Sequence, residues 1–302
     1  MMKRWLSVVG ITALAVMAVA GTWRFSQQDH VPAAAQATGT PASGESPVHA
    51  GTQSRIPPGS VTSRLSKVVP NGGKTFSLET EVPRFDGPAK AYVEALLPSA
   101  RAGDAAATYA IYLRVRSCKL ALRTLDEAEL ALARKSGQEA QVLSAQALEL
   151  DQCATLIASA GLFDERWLAS AAEQGALEAR LIYATNPAEI LGESRQMLAA
   201  PERVIAYRAQ SMAYLQGAVA QGSLDALAIM SAAYENGIIT RQDPIAAYAY
   251  AAALVRANPS PAIADLELLP RQKLTAEQLR QGRAMAERIY RDCCISFGES
   301  AK

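Results

Sequence analysis

Histidine is almost missing from this sequence: His30 and His49 are the only two among 302 residues. Both lie in a Pro-, Ala- and Gly-rich stretch near the N-terminus, ahead of any helical pattern. Chemistry that needs a histidine base in the folded part is thereby excluded. Neither histidine stands near a cysteine at metal-ligand spacing, so no zinc site is expected. Aromatic residues are also scarce, at 6% against an apolar content of 50%. That apolar share must be mostly alanine, leucine and valine, which suits helices packed close together, since alanine has the highest helix propensity. An excess of charge of one sign is missing as well. Lys+Arg number 30 and Asp+Glu 29, for a net charge of +1. No chain-wide field exists to gather nucleic acid or an acidic substrate, and no nucleic-acid partner is expected. Gly-rich phosphate loops, a G-x-S-x-G elbow and an H-E-x-x-H pair are all absent. No cofactor is expected.

What is present begins with the N-terminus. Met1-Met2-Lys3-Arg4 is basic, and Trp5 to Trp23 (WLSVVGITALAVMAVAGTW) carries no charge. Ala18-Val19-Ala20 offers the small-x-small pattern of a signal-peptidase site. An uncleaved anchor fits the same residues. Residues 5–23 as a helix would be about 28 Å long, close to a bilayer core, with a tryptophan at each end. Residues 1–24 are therefore read as a signal peptide or an inner-membrane anchor. Either way the remainder lies outside the cytoplasm, periplasmic or otherwise exported. Residues 25–84 follow as a Pro/Ala/Gly/Ser-rich flexible tether, too poor in large apolar groups to offset chain entropy. Within it, Lys74 to Arg84 (KTFSLETEVPR) alternates weakly, but one strand cannot stand alone.

From about Pro88 the pattern is helical, and residues 85–297 are expected to form one all-α domain. Its punctuation is specific. Gly103-Asp104, Gly175-Ala176 and Gly222-Ser223 each end one alanine-rich helix and open another. Gly87-Pro88, Asn186-Pro187 and Asp243-Pro244 place proline at a first helical position. Thr275-Ala276-Glu277-Gln278 has the spacing of a capping box. Antiparallel helix pairs joined by short turns follow from these signals.

Aligning the glycines exposes an internal repeat. SARAGDAAATYAIY, AAEQGALEARLIYA and AVAQGSLDALAIMS share Gly103, Gly175 and Gly222, with Ala107, Ala179 and Ala226 four positions later. The third copy continues through Met230-Ser231, Tyr234, Gly237, Asp243, Ala247 and Tyr250. This resembles the Sel1-like repeat, a relative of the tetratricopeptide repeat. The match over Val219 to Leu254 is good. In the first copy Val115 and Cys118 fill the tyrosine and glycine positions, and a long helical insertion follows. In the second, Pro187 occupies the tyrosine position and must end its helix early. The resemblance implies stacked helix pairs, a short α-solenoid, and adaptor function: binding a protein or peptide partner along a curved surface. A closed alanine-rich bundle is the competing architecture. In either, Ala226, Ser231 and Ala233 on one helix and Ala246, Ala247 and Ala251 on the next are close-contact positions.

Few residues suggest chemistry. Ile190 to Ser194 (ILGES) superficially resembles the helix-borne Glu-Ser of lytic transglycosylases, which would make Glu193 the acid/base of a cell-wall-acting enzyme. The G-L-M-Q-type stretch which that family carries downstream is missing, and a solvated helix face is the plain reading. No catalytic residue is assigned. Arg116, Lys119 and Arg123 share one helical face. They suit an acidic partner or anionic lipid, although Asp126, Glu127 and Glu129 follow closely enough to pair with them. Tyr207, Tyr214, Tyr234, Tyr248 and Tyr250 are read as core or repeat positions, some of which could line a groove. Export permits disulfides, and Cys118 and Cys153 are the expected pair. They lie 18 residues before Ser136 and 16 after Gly137, so two helices running antiparallel from that turn bring them level. Cys293 and Cys294 are adjacent, too close for an easy bridge to each other.

Overall fold

The computed structural model describes residues 66–80, 85–260 and 263–295. The chain divides into two units, Met1–Gln53 and Ser54–Lys302, and every described residue belongs to the second. The signal or anchor segment 1–24 and the tether up to residue 65 lie outside the described residues.

The fold is all-α, with fourteen α-helices and one small hairpin among the described residues. The hairpin pairs β1 (Ser66–Gly72) with β2 (Thr75–Thr80) in antiparallel register, Ser66 facing Thr80 and Val68 facing Leu78. Residues 66–80 are thus ordered structure where the sequence suggested tether. The strand beginning at Thr75 finds its partner in SKVVPNG, and Gly73-Lys74 form the two-residue turn between them. The hairpin is held by the helices. The Phe76 N–H donates to the Gly222 carbonyl at 3.1 Å and the Lys74 N–H to the Cys294 carbonyl at 3.3 Å. The Leu78 N–H donates to the Asp225 carboxylate at 2.9 Å, and the Ser66 hydroxyl to Glu178.

Helices near one another in the chain pack together. α1 (Ala89–Arg101) packs on α2 (Ala105–Ala121), and α6 (Trp167–Gln174) on α7 (Leu177–Thr185). Next come α10 (Pro201–Ala220) with α11 (Leu224–Asn236), then α12 (Pro244–Ala257) with α14 (Ala276–Cys294). Successive pairs touch through α2 and α6, α7 and α10, and α11 and α12. Local chemistry sets most boundaries. The Asp104 side chain accepts from the Ala106 and Ala107 N–H groups, Ser223 from Ala226, and Asp243 from Ile245 and Ala246, each satisfying donors the first turn leaves free. Pro187 and Pro201 begin helices, and α7 stops at Thr185 ahead of the former. Pro88 differs from its sequence reading: it is the N-cap of α1, not its first helical residue.

Small residues fill the contacts. Ala226, Ala246, Ala247 and Ala251 are buried, and the Ser231 hydroxyl donates to the Ala247 carbonyl at 2.9 Å, tying α11 to α12. Tyr234 and Tyr250 stack at 5.7 Å across the same pair. At Gly282 on α14 the Tyr248 ring of α12 lies so near that a Cβ would stand 2.6 Å from it.

Between the first two pairs lie α3 (Glu127–Lys135), α4 (Glu139–Ile157) and α5 (Ala160–Phe163). Cys118 on α2 and Cys153 on α4 are joined with their Cα atoms 5.5 Å apart. The route differs from the sequence reading. No single helix runs from Cys118 to Ser136: α2 ends at Ala121, and a capping box of Asp126 and Glu129 starts α3 afresh. The pair meets because α4 packs directly on α2. Cys293 and Cys294 are also bonded to each other, at the last turn of α14, where the backbone becomes extended at Ile295. That corrects the expectation drawn from their adjacency.

Arg114 completes this end of the fold. Its side chain is fully buried on α2, paired with Glu149 of α4 and within 3.4 Å of both the Gly87 carbonyl and Gln152. The Phe85 ring lies 4.9 Å from the guanidinium. Glu149 also accepts from Ser117 at 2.6 Å. Removing either charge would strand the other, which costs more than the pair contributes.

Two outcomes test this architecture. Non-reducing peptide mapping of protein produced in an oxidising compartment should recover Cys118 linked to Cys153, and replacing both by alanine should lower stability by about 2–4 kcal/mol. Gly222 has φ +95°, and an added Cβ would lie 2.3 Å from the Lys74 carbonyl oxygen. Gly222→Ala should therefore cost about 1–3 kcal/mol and speed amide exchange at Phe76. Gly103, at φ +93° with open space around it, should tolerate alanine better.

Candidate functional site

Two adjoining cavities of about 270 and 540 Å³ share Arg166, Ile190, Leu191 and Arg203, and together they form one trough. Helical spacing builds its walls. Tyr112, Arg116 and Lys119 follow at i, i+4 and i+7 on α2, and Arg203, Tyr207, Gln210 and Tyr214 at i, i+4, i+7 and i+11 on α10. Between these walls lie the start of α6 at Trp167 and Leu168, and α8 (Pro187–Leu191) with Ile190 and Leu191. Pro187 matters here. By ending α7 early it turns the chain so that α8 and then α9 (Ser194–Ala199) cross toward α10.

Tyrosines form the deep part. Tyr183 stacks on Tyr207 at 5.3 Å and meets Tyr214 edge-on at 5.3 Å. The Tyr207 hydroxyl donates to the Tyr183 carbonyl at 2.9 Å and the Ala184 carbonyl at 3.2 Å, groups that the end of α7 leaves without intrahelical donors. Burial pushes the Tyr207 phenol up to about 12 and raises Tyr183 and Tyr214 as well. Burial, reinforced by the Glu189 carboxylate, raises Tyr112 further, and its hydroxyl donates to Glu189 at 2.9 Å. These phenols stay protonated at neutral pH. They offer apolar faces and neutral donors, not acid–base catalysis.

The rim is cationic. Arg116, Lys119, Arg166 and Arg203 line the trough, and none has a salt-bridge partner among the described residues. Three acids line the trough with them: Glu165 and Glu189 in the narrower cavity and Glu173 in the wider one. Glu165 is held by Arg101 at 2.5 and 2.7 Å, and Glu189 accepts from Tyr112 and from Asn186 at 2.8 Å.

The sequence-derived candidates are dispersed. Arg116 and Lys119 reach the trough, whereas Arg123 turns to Glu129 at 2.7 and 3.0 Å. Tyr207 and Tyr214 line the trough. Tyr234 borders a separate small cavity near Lys273, and Tyr248 is buried. Glu193 is exposed at the N-cap of α9, its N–H donating to the Gln196 side chain at 2.8 Å, and it lines neither cavity of the trough. Gly103, Gly175, Gly222 and Gly237 stand at helix ends, and Ala107, Ala179, Ala226 and Ala247 are buried at helix contacts. Sequence reasoning missed Tyr183, Arg166 and Arg203, which become neighbours only through packing. The Arg203-Tyr207-Gln210-Tyr214 face was the one signal available for them. For metals, only Cys118, Glu149 and Cys153 cluster among the described residues. Both sulfurs are bonded to each other and Glu149 is taken by Arg114 and Ser117, so no free donor set remains there.

Comparison of the chain with protein-family models, with curated proteins and with solved structures finds no match.

Tyr207→Phe tests the trough's construction. It removes the donor to two buried carbonyls while keeping the ring stack, and should cost about 1–3 kcal/mol. A urea titration should show a lower midpoint with an unchanged slope.

Proposed function

We propose that this chain is an exported, non-enzymatic adaptor of Sel1-like type, whose stacked helix pairs form a short solenoid that holds an extended segment of a partner protein. Residues 1–24 deliver it across the inner membrane or anchor it there, and the tether gives it reach. The observation that carries this reading is the continuous trough between α2, α6, α8 and α10, with its tyrosine floor. Its walls are regular helices and its aromatic side chains are fixed by stacking and hydrogen bonds. A segment entering it meets a preformed surface, so little ordering entropy opposes association. Apolar faces with a few polar tips suit a peptide's mixture of side chains and amides. The paired helices and the glycines between them agree with the repeat resemblance in sequence, and fold-level analogy adds no more than that.

Filling the trough tests the reading. Ala206 is exposed and lines the wider cavity. A photo-crosslinking amino acid at Gln210 should trap a discrete partner in cells, while the same probe at exposed Arg283 on α14 should not. Ala206→Trp should leave the melting temperature unchanged and reduce that adduct at least about tenfold, as expected when one well-packed anchor of the partner is displaced. Equal trapping at both positions, or no effect of Ala206→Trp, would overturn the assignment.

A further inference from the structure

The unmatched charge of the trough specifies what enters it. Its narrower cavity is lined by four cations from three parts of the chain: Arg116 and Lys119 on α2, Arg166 just before α6, and Arg203 on α10. Two acids share that lining, Glu165 and Glu189, which leaves a formal excess of +2 (four minus two). Even these two do not serve the rim. Glu165 is bound in a two-pronged pair with Arg101, outside the cavity lining, and Glu189 is occupied by Tyr112 and Asn186. The first turn of α6 adds to the same field, because its N-cap, Arg166, supplies no side-chain acceptor for the free N–H groups. Glu173 lines only the wider cavity, so within a protein of nearly neutral overall charge the excess of positive charge lies at the narrower one. Like charges gathered there repel one another and cost stability unless a ligand relieves them.

We infer that the trough is selective for acidic protein segments, whose Asp and Glu side chains pair with Arg116, Lys119, Arg166 and Arg203 while apolar neighbours lie against Tyr183, Tyr207 and Tyr214. The inference rests on the adaptor reading and adds the partner's chemistry to it. A peptide fits better than a lipid surface or a bare phosphate for a stated reason. Arg116 and Lys119 sit at one end of the trough, Arg166 and Arg203 line both cavities, and three tyrosines floor the other end, so the site rewards charge and apolar side chains in a single extended chain. Arginine's planar fork favours two-pronged pairing with carboxylates.

The test is selection of random dodecapeptides, blocked at both ends, on the immobilised full chain. Peptides enriched on the wild-type protein should carry more Asp and Glu than Lys and Arg. Their binding should weaken at least about tenfold when Arg116→Glu and Arg203→Glu are combined, and steeply as salt rises. Both residues are outside the buried core, and a conservative Arg203→Gln variant with unchanged melting should show a smaller loss in the same direction. Enrichment without charge bias, abolished by Ala206→Trp but not by charge reversal, overturns the selectivity and leaves the trough reading standing. No enrichment at all overturns both. Binding of vesicles containing phosphatidylglycerol, or of inorganic phosphate, with the same dependence on Arg116 and Arg203 and no peptide preference also overturns it.

Discussion

At Gly222 three segments meet within the reach of a single atom. A Cβ there would lie 2.3 Å from the Lys74 carbonyl of the hairpin and 3.4 Å from the Cys293 carbonyl of α14, in the turn that joins α10 to α11. The approach is between backbones, and the rest of the structure depends on approaches of that kind. Where helices meet through Ala226, Ala246, Ala247 and Ala251, the buried side chains are methyl groups, which permit a close approach of the two helices. Close packing of this sort recovers dispersion energy without large side chains, which is how a chain with 6% aromatic residues builds a core. It also leaves little tolerance, because a small residue between two helices cannot grow without moving an entire helix.

The same economy explains where the aromatic residues went. Tyr234 and Tyr250 stack across α11 and α12, where alanines make the remaining contacts. Tyr183, Tyr207 and Tyr214 gather at the junction of α7 and α10, where Pro187 breaks the pairing rhythm and opens space. A regular helix at that point would have continued the close packing and closed the trough. The irregularity and the concavity are therefore one feature. At the other end, the Cys118–Cys153 link and the buried Arg114–Glu149 pair brace α2 against α4. That brace fixes the wall that carries Arg116 and Lys119, two and five residues along the helix from Arg114.

Helix ends were legible in the sequence because their chemistry is local: Asp104, Ser223, Asp243 and Thr275 cap helices using donors two or three residues away. The break before α3 was equally local. Asp126 and Glu129 have capping-box spacing, but they read first as charges available to the Arg116-Lys119-Arg123 stripe. The hairpin was half legible. Lys74 to Arg84 alternates, yet Val68 and Val69 sit among Pro, Ser and Gly residues that mask the partner strand, and its docking partners at Gly222 and Asp225 are about 150 residues distant. The trough was hardly legible at all. Its lining comes from α2, α6, α7, α8, α9 and α10, and no window of sequence holds more than one wall.

Charge was the property least visible in composition and most informative in space. A net charge of +1 argued against any field that could attract an acidic partner. That argument holds for the whole surface and fails locally, because cancellation in a sum requires no cancellation at a site. Many surface cations here are matched to nearby acids, as Arg134 is to Glu127 and Glu139 and Arg256 is to Glu287. Such exposed pairs contribute little to stability, but they silence the field around them. At the narrower cavity of the trough the balance differs: Arg101 pairs with Glu165 from outside the lining, and four cations face two acids. At a Debye length of about 8 Å in physiological salt, charges arranged around one concavity act together while the paired remainder of the surface does not. The chain can thus be nearly neutral as a whole and still present a concavity with an excess of positive charge.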